Sequence, residues 1–516
     1  MRRPYRLIVS LALLTALCMM VSGCGTPQET DTSSQTASSL TGSEPETTTE
    51  QSFVLPYTSN DTLDPYSAQT KNNQELSTLL YDSLIRLDDA MEAEYWIAES
   101  IELNGTTCVI DLRDVKFSDG SSVTAEDVTY SIKAAKEETN GRYADKLSNI
   151  VSQSAASATR VFITLQCADP YFIHLLDFPI FKRGTETNTN TDNKALPPVG
   201  SGRYTYHAEG QRYWLEANVS WQGGDIGIQR IELKNLPDDE AVEYSMQTSG
   251  ISAYYTNLSD NEFPKMTGST VSVPLFNLVY LGVNTRSDIL SDTALRHALS
   301  NAVDRTKFCS DIFYGSAQPA KGPIPSCFAQ VEGLQTISTE KNTDEVVAQL
   351  NELGYNNRDS EGYLTREGQR LSLRLVYNAE QPVRGTAAAF LASELKAVGI
   401  EVTLAGLSYD AYVRAVEGGS FDLYLAEMKL QNNFDLLPLV RNDAVASPDS
   451  SVRTAAQSFH DGTGSLTELL SSFSEEMPII PLCHRMGLLT FSSALKGSLT
   501  PGFSDIYAGL EHCTLS

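Results

Sequence analysis

The chain has 516 residues, with 38 Lys and Arg against 65 Asp and Glu and a formal charge of −27. Nucleic-acid binding needs clustered Lys and Arg to meet phosphates, so that charge balance excludes nucleic acid as a partner. At 41% hydrophobic residues with 23 tyrosines, the composition is that of packed globular protein, and the length exceeds what one core supports, so two or more domains are expected.

The chain opens on the basic MRRPYR, and the apolar run LIVSLALLTALCMMV follows. That run is short for a membrane span and is followed by small residues, so residues 1–23 read as a signal peptide. Val21-Ser22-Gly23-Cys24 resembles a bacterial lipoprotein lipobox. The resemblance implies that Cys24 is lipidated and becomes the first mature residue, placing the protein on the extracytoplasmic face of a bacterial cell membrane. Several acyl chains on one cysteine give durable attachment. Residues 24–51 are rich in Ser, Thr and Glu with no aromatic or basic residue. They cannot bury enough surface to offset ordering entropy and are expected to form a disordered tether.

Residues 115–136 read VKFSDGSSVTAEDVTYSIKAAK. VKF is a strand end, Asp119-Gly120 a turn, and Thr124 a helix N-cap with Asp127 three positions on. Val128, Ile132 and Ala135 then fall on one helical face. Further along, LSLRLVYN (371–378), a helix over 383–398 closed by Gly399, IEVTL, the helix YDAYVRAVEGG and FDLYLAE alternate strand and helix. That alternation predicts an α/β domain with parallel pairing and right-handed crossovers. Ligands bind beyond the carboxyl ends of such strands. Those ends carry Asn378, Gln381 and Arg384, then Glu427, Met428, Lys429, Asn432 and Asn433, and LVYLGVNTRSD adds Asn284 and Thr285.

Catalytic signatures do not emerge. The six histidines stand apart, with no HExxH or HxH, and the six cysteines of the exported body form no CxxC, so neither a metal site nor a cofactor is expected. The cysteines read mostly as small buried core residues. No GxSxG elbow or Walker loop occurs. Ser493-x-x-Lys496 lacks its companion motifs, and Asn357-x-Asp359-x-Glu361-Gly362 has Gly368 where a calcium loop needs a bidentate Glu. The latter is expected to be a hairpin turn. The protein is expected not to be an enzyme.

The segment VKFSDGSSVTAEDVTYSIKAA closely resembles the VKFHDGxPxTAEDVxFSI signature of family 5 extracellular solute-binding proteins, the oligopeptide, dipeptide and nickel-binding group of ABC transporters. The resemblance continues in order through TLDPYSAQTKNNQELSTLLYDSLIRLD, PPVGSGRYTY, YLGVNTRSDILSDTALRHALSNAVDRTKF, LNELGYNNRDSEGYL, FDLYLAEM and MPIIPLCHR. It implies an α/β, two-lobed, periplasmic-binding-protein-like fold of type II, with a hinge and an inserted subdomain. The implied division is lobe I over 52–84, 198–280 and 487–516, the insert over 85–197, and lobe III over 281–486. The implied function is capture of a peptide or similar small solute in the interlobe cleft by a monomer, with delivery to ABC transporter permease subunits.

In peptide-binding relatives an aspartate after the FDLxLxGW strand binds the peptide's α-amino group. Aligned on FDLYL, that position is Gln431 and the tryptophan is Met428. Glu427 or Asp435 is left to meet an amine, and Lys429 or Arg384 to meet a carboxylate. The candidate ligand-binding set is Glu427, Lys429, Asn432, Asp435, Arg384, Asn284 and Tyr66. Two alternatives stay open: a nickel or metallophore receptor, and a ligand-sensing signalling receptor without transport.

Overall fold

The computed structural model describes residues 52–88, 90–138, 141–191, 194–257 and 268–516. The expected signal peptide, Cys24 and the tether lie outside the described residues.

A first four-stranded sheet takes the order Phe53–Tyr57, Arg230–Asn235, Arg212–Ala217, Tyr204–Glu209. Its first pair is parallel and the other two are antiparallel. Between its strands in sequence, a second sheet forms from Ala98–Asn104, Thr107–Leu112, Arg160–Leu165 and Ile150–Ala155, all antiparallel. Along Arg160–Leu165 exposed and buried residues alternate, as a strand with one covered face requires. Helix Ala125–Glu137 covers that face with Val128, Ile132 and Ala135 buried.

The start of this helix follows from its sequence. The Thr124 N and Oγ1 both donate to Asp127 Oδ2, at 2.9 and 2.6 Å, closing a capping box. Gly120 holds the preceding turn at φ +83, with open space where a Cβ would stand. One hydrophobic cluster runs through both sheets, so this signature is scaffold.

The largest sheet has seven strands. Ser372–Asn378 lies between Glu401–Leu407 and Leu423–Lys429, parallel to both. Helices Pro382–Ala397 and Tyr409–Glu417 make the two crossovers. Leu423–Lys429 pairs with the long strand Ser269–Val283 in antiparallel sense, and that strand pairs with the equally extended Ile479–Phe491. Alternate residues enter opposite cores: Val279 and Leu281 one, Leu278 and Tyr280 the other. Helices cover both faces of this mixed sheet, whose parallel pairs are Ser372–Asn378 with its two neighbours.

The long antiparallel pair does more than fill the sheet. Its outer half, Ser269–Pro274 against Met486–Phe491, joins Ala253–Thr256 in the first half of the molecule. Its inner half, from Leu278, belongs to the α/β lobe. Register is lost between Pro274 and Leu278, and shifts again between Val279 and Tyr280. A proline has no N–H for the ladder and register breaks bend strands, so the ribbon changes course where it passes between lobes.

Segment 357–366 forms a hairpin, Asn357–Arg358 against Leu364–Arg366, with Asp359 Oδ1 accepting from the Glu361 and Tyr363 backbones. Among the described cysteines none is disulfide-bonded, and Cys108, Cys309, Cys483 and Cys513 are buried.

Candidate functional site

Strand Leu423–Lys429 enters the core with Leu423 and Leu425 and ends on the same face with Glu427 and Lys429. Period two places both charges where the apolar core runs out. Glu427 stands opposite Val279, and Lys429 opposite Asn277.

The Glu427 carboxylate is fully engaged. It accepts from Arg384 at 2.6 Å, from Arg485 at 3.3 Å and from Asn277 Nδ2 at 2.7 Å. Arg384 lies in the first turn of helix Pro382–Ala397, directly beyond strand Ser372–Asn378. The crossover therefore delivers a cation to the neighbouring strand end. Burial pushes the Glu427 carboxyl up, but Arg384 and Arg485 outweigh it and hold it below the ordinary glutamate range.

Lys429 is placed differently. It lines a cavity of about 670 Å³ and makes no ion pair with any described residue. Its nearest recorded partner is the Phe503 ring, 5.6 Å from Nζ to centroid. The Lys429 side chain is exposed where it borders this open cavity, and protein atoms farther off still reduce its hydration. Burial, with Arg142 and Lys146 adding positive charge, brings the Lys429 pKa down from 10.5 to about 8. The exposure is thus local, and the longer-range desolvation governs the charge.

The rest of the wall comes from every part of the described body. The amino end of helix Lys71–Leu80 supplies Lys71 and Glu75, and the stretch from 142 to 177 supplies Arg142, Lys146 and Asp177. The crossing ribbon supplies Asn277, and the α/β lobe adds Gln431 and Asn432. Lys146 and Asp177 form a buried ion pair, and Ser504 Oγ donates to the other Asp177 oxygen. Arg142 stands 3.7 Å from Glu75. The wall thus holds both signs of charge: Glu75 pairs with Arg142 and Lys146 with Asp177, while Lys429, Asp145 and Asp239 make no ion pair with a described residue.

Segment 431–435 seats the α/β side of the wall against residues 169–174. Phe434 adopts φ +64, unusual for a bulky residue, and is buried with its ring 4.7 Å from Tyr171 and 4.8 Å from Phe328. Asn433 Nδ2 donates to Asp169 at 2.7 Å. Asp435 bonds His460 Nδ1 at 2.8 Å and lines a second cavity of about 220 Å³ beside the first.

The seven candidate residues are therefore distributed. Lys429 and Asn432 line the main cavity, and Asp435 lines the adjacent one. Glu427 and Arg384 form an ion pair behind the main cavity. Tyr66 is buried in the first core, its hydroxyl donating to the Pro179 carbonyl, with its ring 5.8 Å from the cavity residue Tyr143. Asn284 is not brought into the group. Its strand runs antiparallel to Leu423–Lys429, so its carboxyl end falls at the opposite end of the sheet. There Nδ2 donates to the Gly419 and Phe421 carbonyls at 3.2 and 2.8 Å. Asn277, near the other end of that strand, holds the position beside Lys429. The residues missed in sequence, Glu75, Arg142, Lys146, Asp177 and Asn277, sit mainly in loops and at helix ends, where charge reads as solvated surface. A polar Asn277 inside the otherwise apolar FNLVYLGV was the one signal available.

Residues 92–436 match the pattern of the bacterial extracellular solute-binding proteins, family 5 Middle. The oligopeptide-binding protein AppA of Bacillus subtilis is 24% identical over 453 residues, spanning 82% of this chain and 80% of its own. The nickel-binding periplasmic protein of Escherichia coli is 23% identical, spanning 69% of this chain and 71% of its own. In three dimensions the chain is similar to an ABC transporter substrate-binding protein from Sinorhizobium meliloti, with TM-score 0.72 at 17% identity, covering 90% of this chain and 99% of that one.

Proposed function

The chain belongs to the bacterial extracellular solute-binding proteins, family 5, which serve ABC transporters, and on that premise we propose that its solute is a peptide or similarly small molecule whose carboxylate is held by Lys429. One observation carries this reading: a desolvated ammonium, without an ion pair among the described residues, faces a cavity of about 670 Å³. Reducing the hydration of an unpaired ammonium costs free energy, and a ligand carboxylate offsets that cost. The volume falls within the usual range for ligand pockets, roughly 300–1,000 Å³. Glu75 and Asp145 on the same wall suit an amine, which fits the absence of an acid at Gln431. No histidine is among the described residues lining this cavity, which favours a peptide over a nickel complex.

Capture is by lobe closure, since a solute touching both lobes adds contacts to the closed state that it cannot make to the open one. The proposed lobes are 52–84 with 198–280 and 487–516, the insert 85–197, and 281–486. The register break supports a hinge at 275–277, slightly before the end of that second segment. The protein acts as a binder and not an enzyme, works as a monomer, and is anchored through lipid on Cys24 after removal of residues 1–23. A Cys24→Ser variant should leave the membrane fraction.

The test of the carboxylate reading uses a peptide pool scored by thermal shift, followed by titration of the best binder against its C-terminal amide. The amide should bind at least about ten-fold more weakly, the loss of one charge-assisted contact. Equal affinity would contradict the reading.

A further inference from the structure

The smaller cavity beside the ligand cavity has its own chemistry. Cys167, from the insert, approaches His460 and Asp461, at the end of helix Ser451–His460, so that one donor atom from each lies within 4.8 Å of the other two. Cys167 is far in sequence from the adjacent pair His460 and Asp461, which is why spacing motifs gave no sign of the cluster.

Each donor is held in place. The Cys167 backbone is clamped on both sides by Asn149, whose Oδ1 accepts from Cys167 N at 3.0 Å while its Nδ2 donates to Cys167 O at 3.1 Å. His460 Nδ1 is engaged by Asp435, leaving Nε2 as the nitrogen available to a ligand. A carboxylate on the far ring nitrogen is the usual means of orienting a metal-binding histidine. Asp461 is steadied by Gln457 Nε2, 2.9 and 3.0 Å from its two oxygens. The backbones meet closely here. Gly462, at φ +70, would place a Cβ 2.1 Å from the Ala168 carbonyl oxygen, so only glycine allows this approach.

The surroundings favour a cation. Asp145, Asp169 and Asp435 line the cavity, and Lys146, the single Lys or Arg among its described lining residues, is already paired with Asp177. Beside the three donors lies a space of about 220 Å³, ample for a water ligand. Thiolate, imidazole and carboxylate with one open position form a donor set suited to a borderline-soft ion.

We propose that Cys167, His460 and Asp461 form a site for a divalent transition-metal ion of the Zn²⁺ type, joining the insert to the α/β lobe. Because Cys167 comes from one side of the seam and His460 and Asp461 from the other, the bound ion fastens the two sides together. Metal binding releases the thiol proton to solvent and involves no oxidation.

The purified full chain, without solute, is titrated with Zn²⁺ against a chromogenic chelator and with Co²⁺ by absorption spectroscopy. One Zn²⁺ per chain is expected, and the Co²⁺ form should show a thiolate-to-metal charge-transfer band that Cys167→Ser abolishes. Asp461→Asn, at an exposed position, should weaken Zn²⁺ at least ten-fold with the unfolding midpoint unchanged. Asp435→Asn should weaken it about ten-fold through His460. Failure to bind Zn²⁺ at concentrations matching the protein, or a Co²⁺ band that survives in Cys167→Ser, would overturn the proposal. Neither result bears on the carboxylate reading, since no solute is present.

Discussion

Arg203 and Lys429 are both cations whose hydration the protein reduces, and the fold treats them in opposite ways. Arg203, in the first half of the molecule, is 1% exposed. It donates to Glu511 at 2.8 Å, Asp505 at 2.6 Å, and the carbonyls of Tyr507 and Thr78. Burial works against its charge, but Asp505 and Glu511 outweigh burial and hold the guanidinium above its ordinary pKa. Lys429 meets a cavity and an aromatic ring, and its pKa falls. A satisfied buried charge ties segments together, here the C-terminal residues to the first half of the fold. An unsatisfied one at a cavity wall is poised for a ligand. Glu427, with three partners, belongs with Arg203 in this respect although it lies only two residues from Lys429.

The largest predicted effect tests the first half of that comparison. Arg203→Leu strands Glu511 and Asp505 and should cost about 3–5 kcal/mol of stability by denaturant unfolding. A loss below about 1 kcal/mol would show that the pairing is incidental. Glu427→Gln leaves Arg384 and Arg485 facing each other without a carboxylate and should cost about 3 kcal/mol. Its effect on solute affinity should be smaller than that of Lys429→Ala. The reverse order would place Glu427 in contact with solute.

Lys429→Ala should reverse the pattern, weakening solute binding by about 2 kcal/mol or more, roughly 30-fold. The solute-free protein should be no less stable, because a desolvated ammonium has been removed. The pH dependence follows from the same group. With a folded pKa of about 8 against 10.5 unfolded, the unfolded chain holds the proton more tightly between those values. Stability of the solute-free protein should therefore gain a rising contribution from pH 8 to 10.5, absent in Lys429→Ala. A bound carboxylate raises the pKa again, so affinity should be fully present below about pH 8 and decline above it. A flat affinity profile through that range would argue against an ammonium contact. The smallest effect belongs to the scaffold signature, where Thr124→Ala should cost about 1 kcal/mol by breaking the capping box, with solute affinity unchanged.

Much of the fold was legible in sequence because local physics set it. The capping box at Thr124 and Asp127, the Gly399 helix stop, and the strand–helix alternation of 372–429 each follow from short-range pattern, and each forms as read. Strand direction was not legible for Ser269–Val283. Apolar alternation is the same in either sense, so Asn284 was grouped with strand ends that lie across the sheet. The cavity was legible only on its α/β side. Arg142, Lys146 and Asp177 line the same cavity as Lys429 through a long-range juxtaposition that no local pattern encodes. The Cys167–His460–Asp461 cluster was invisible for the same reason.

The most direct test is native mass spectrometry of the gently purified protein and its Lys429→Ala variant, each repeated after denaturation and refolding. The wild type should carry a discrete added mass that refolding removes and that returns when the identified solute is supplied, while the variant should carry little or none with an unchanged unfolding midpoint. A variant that retains the same solute with unchanged affinity would contradict the assignment of Lys429 as the carboxylate anchor.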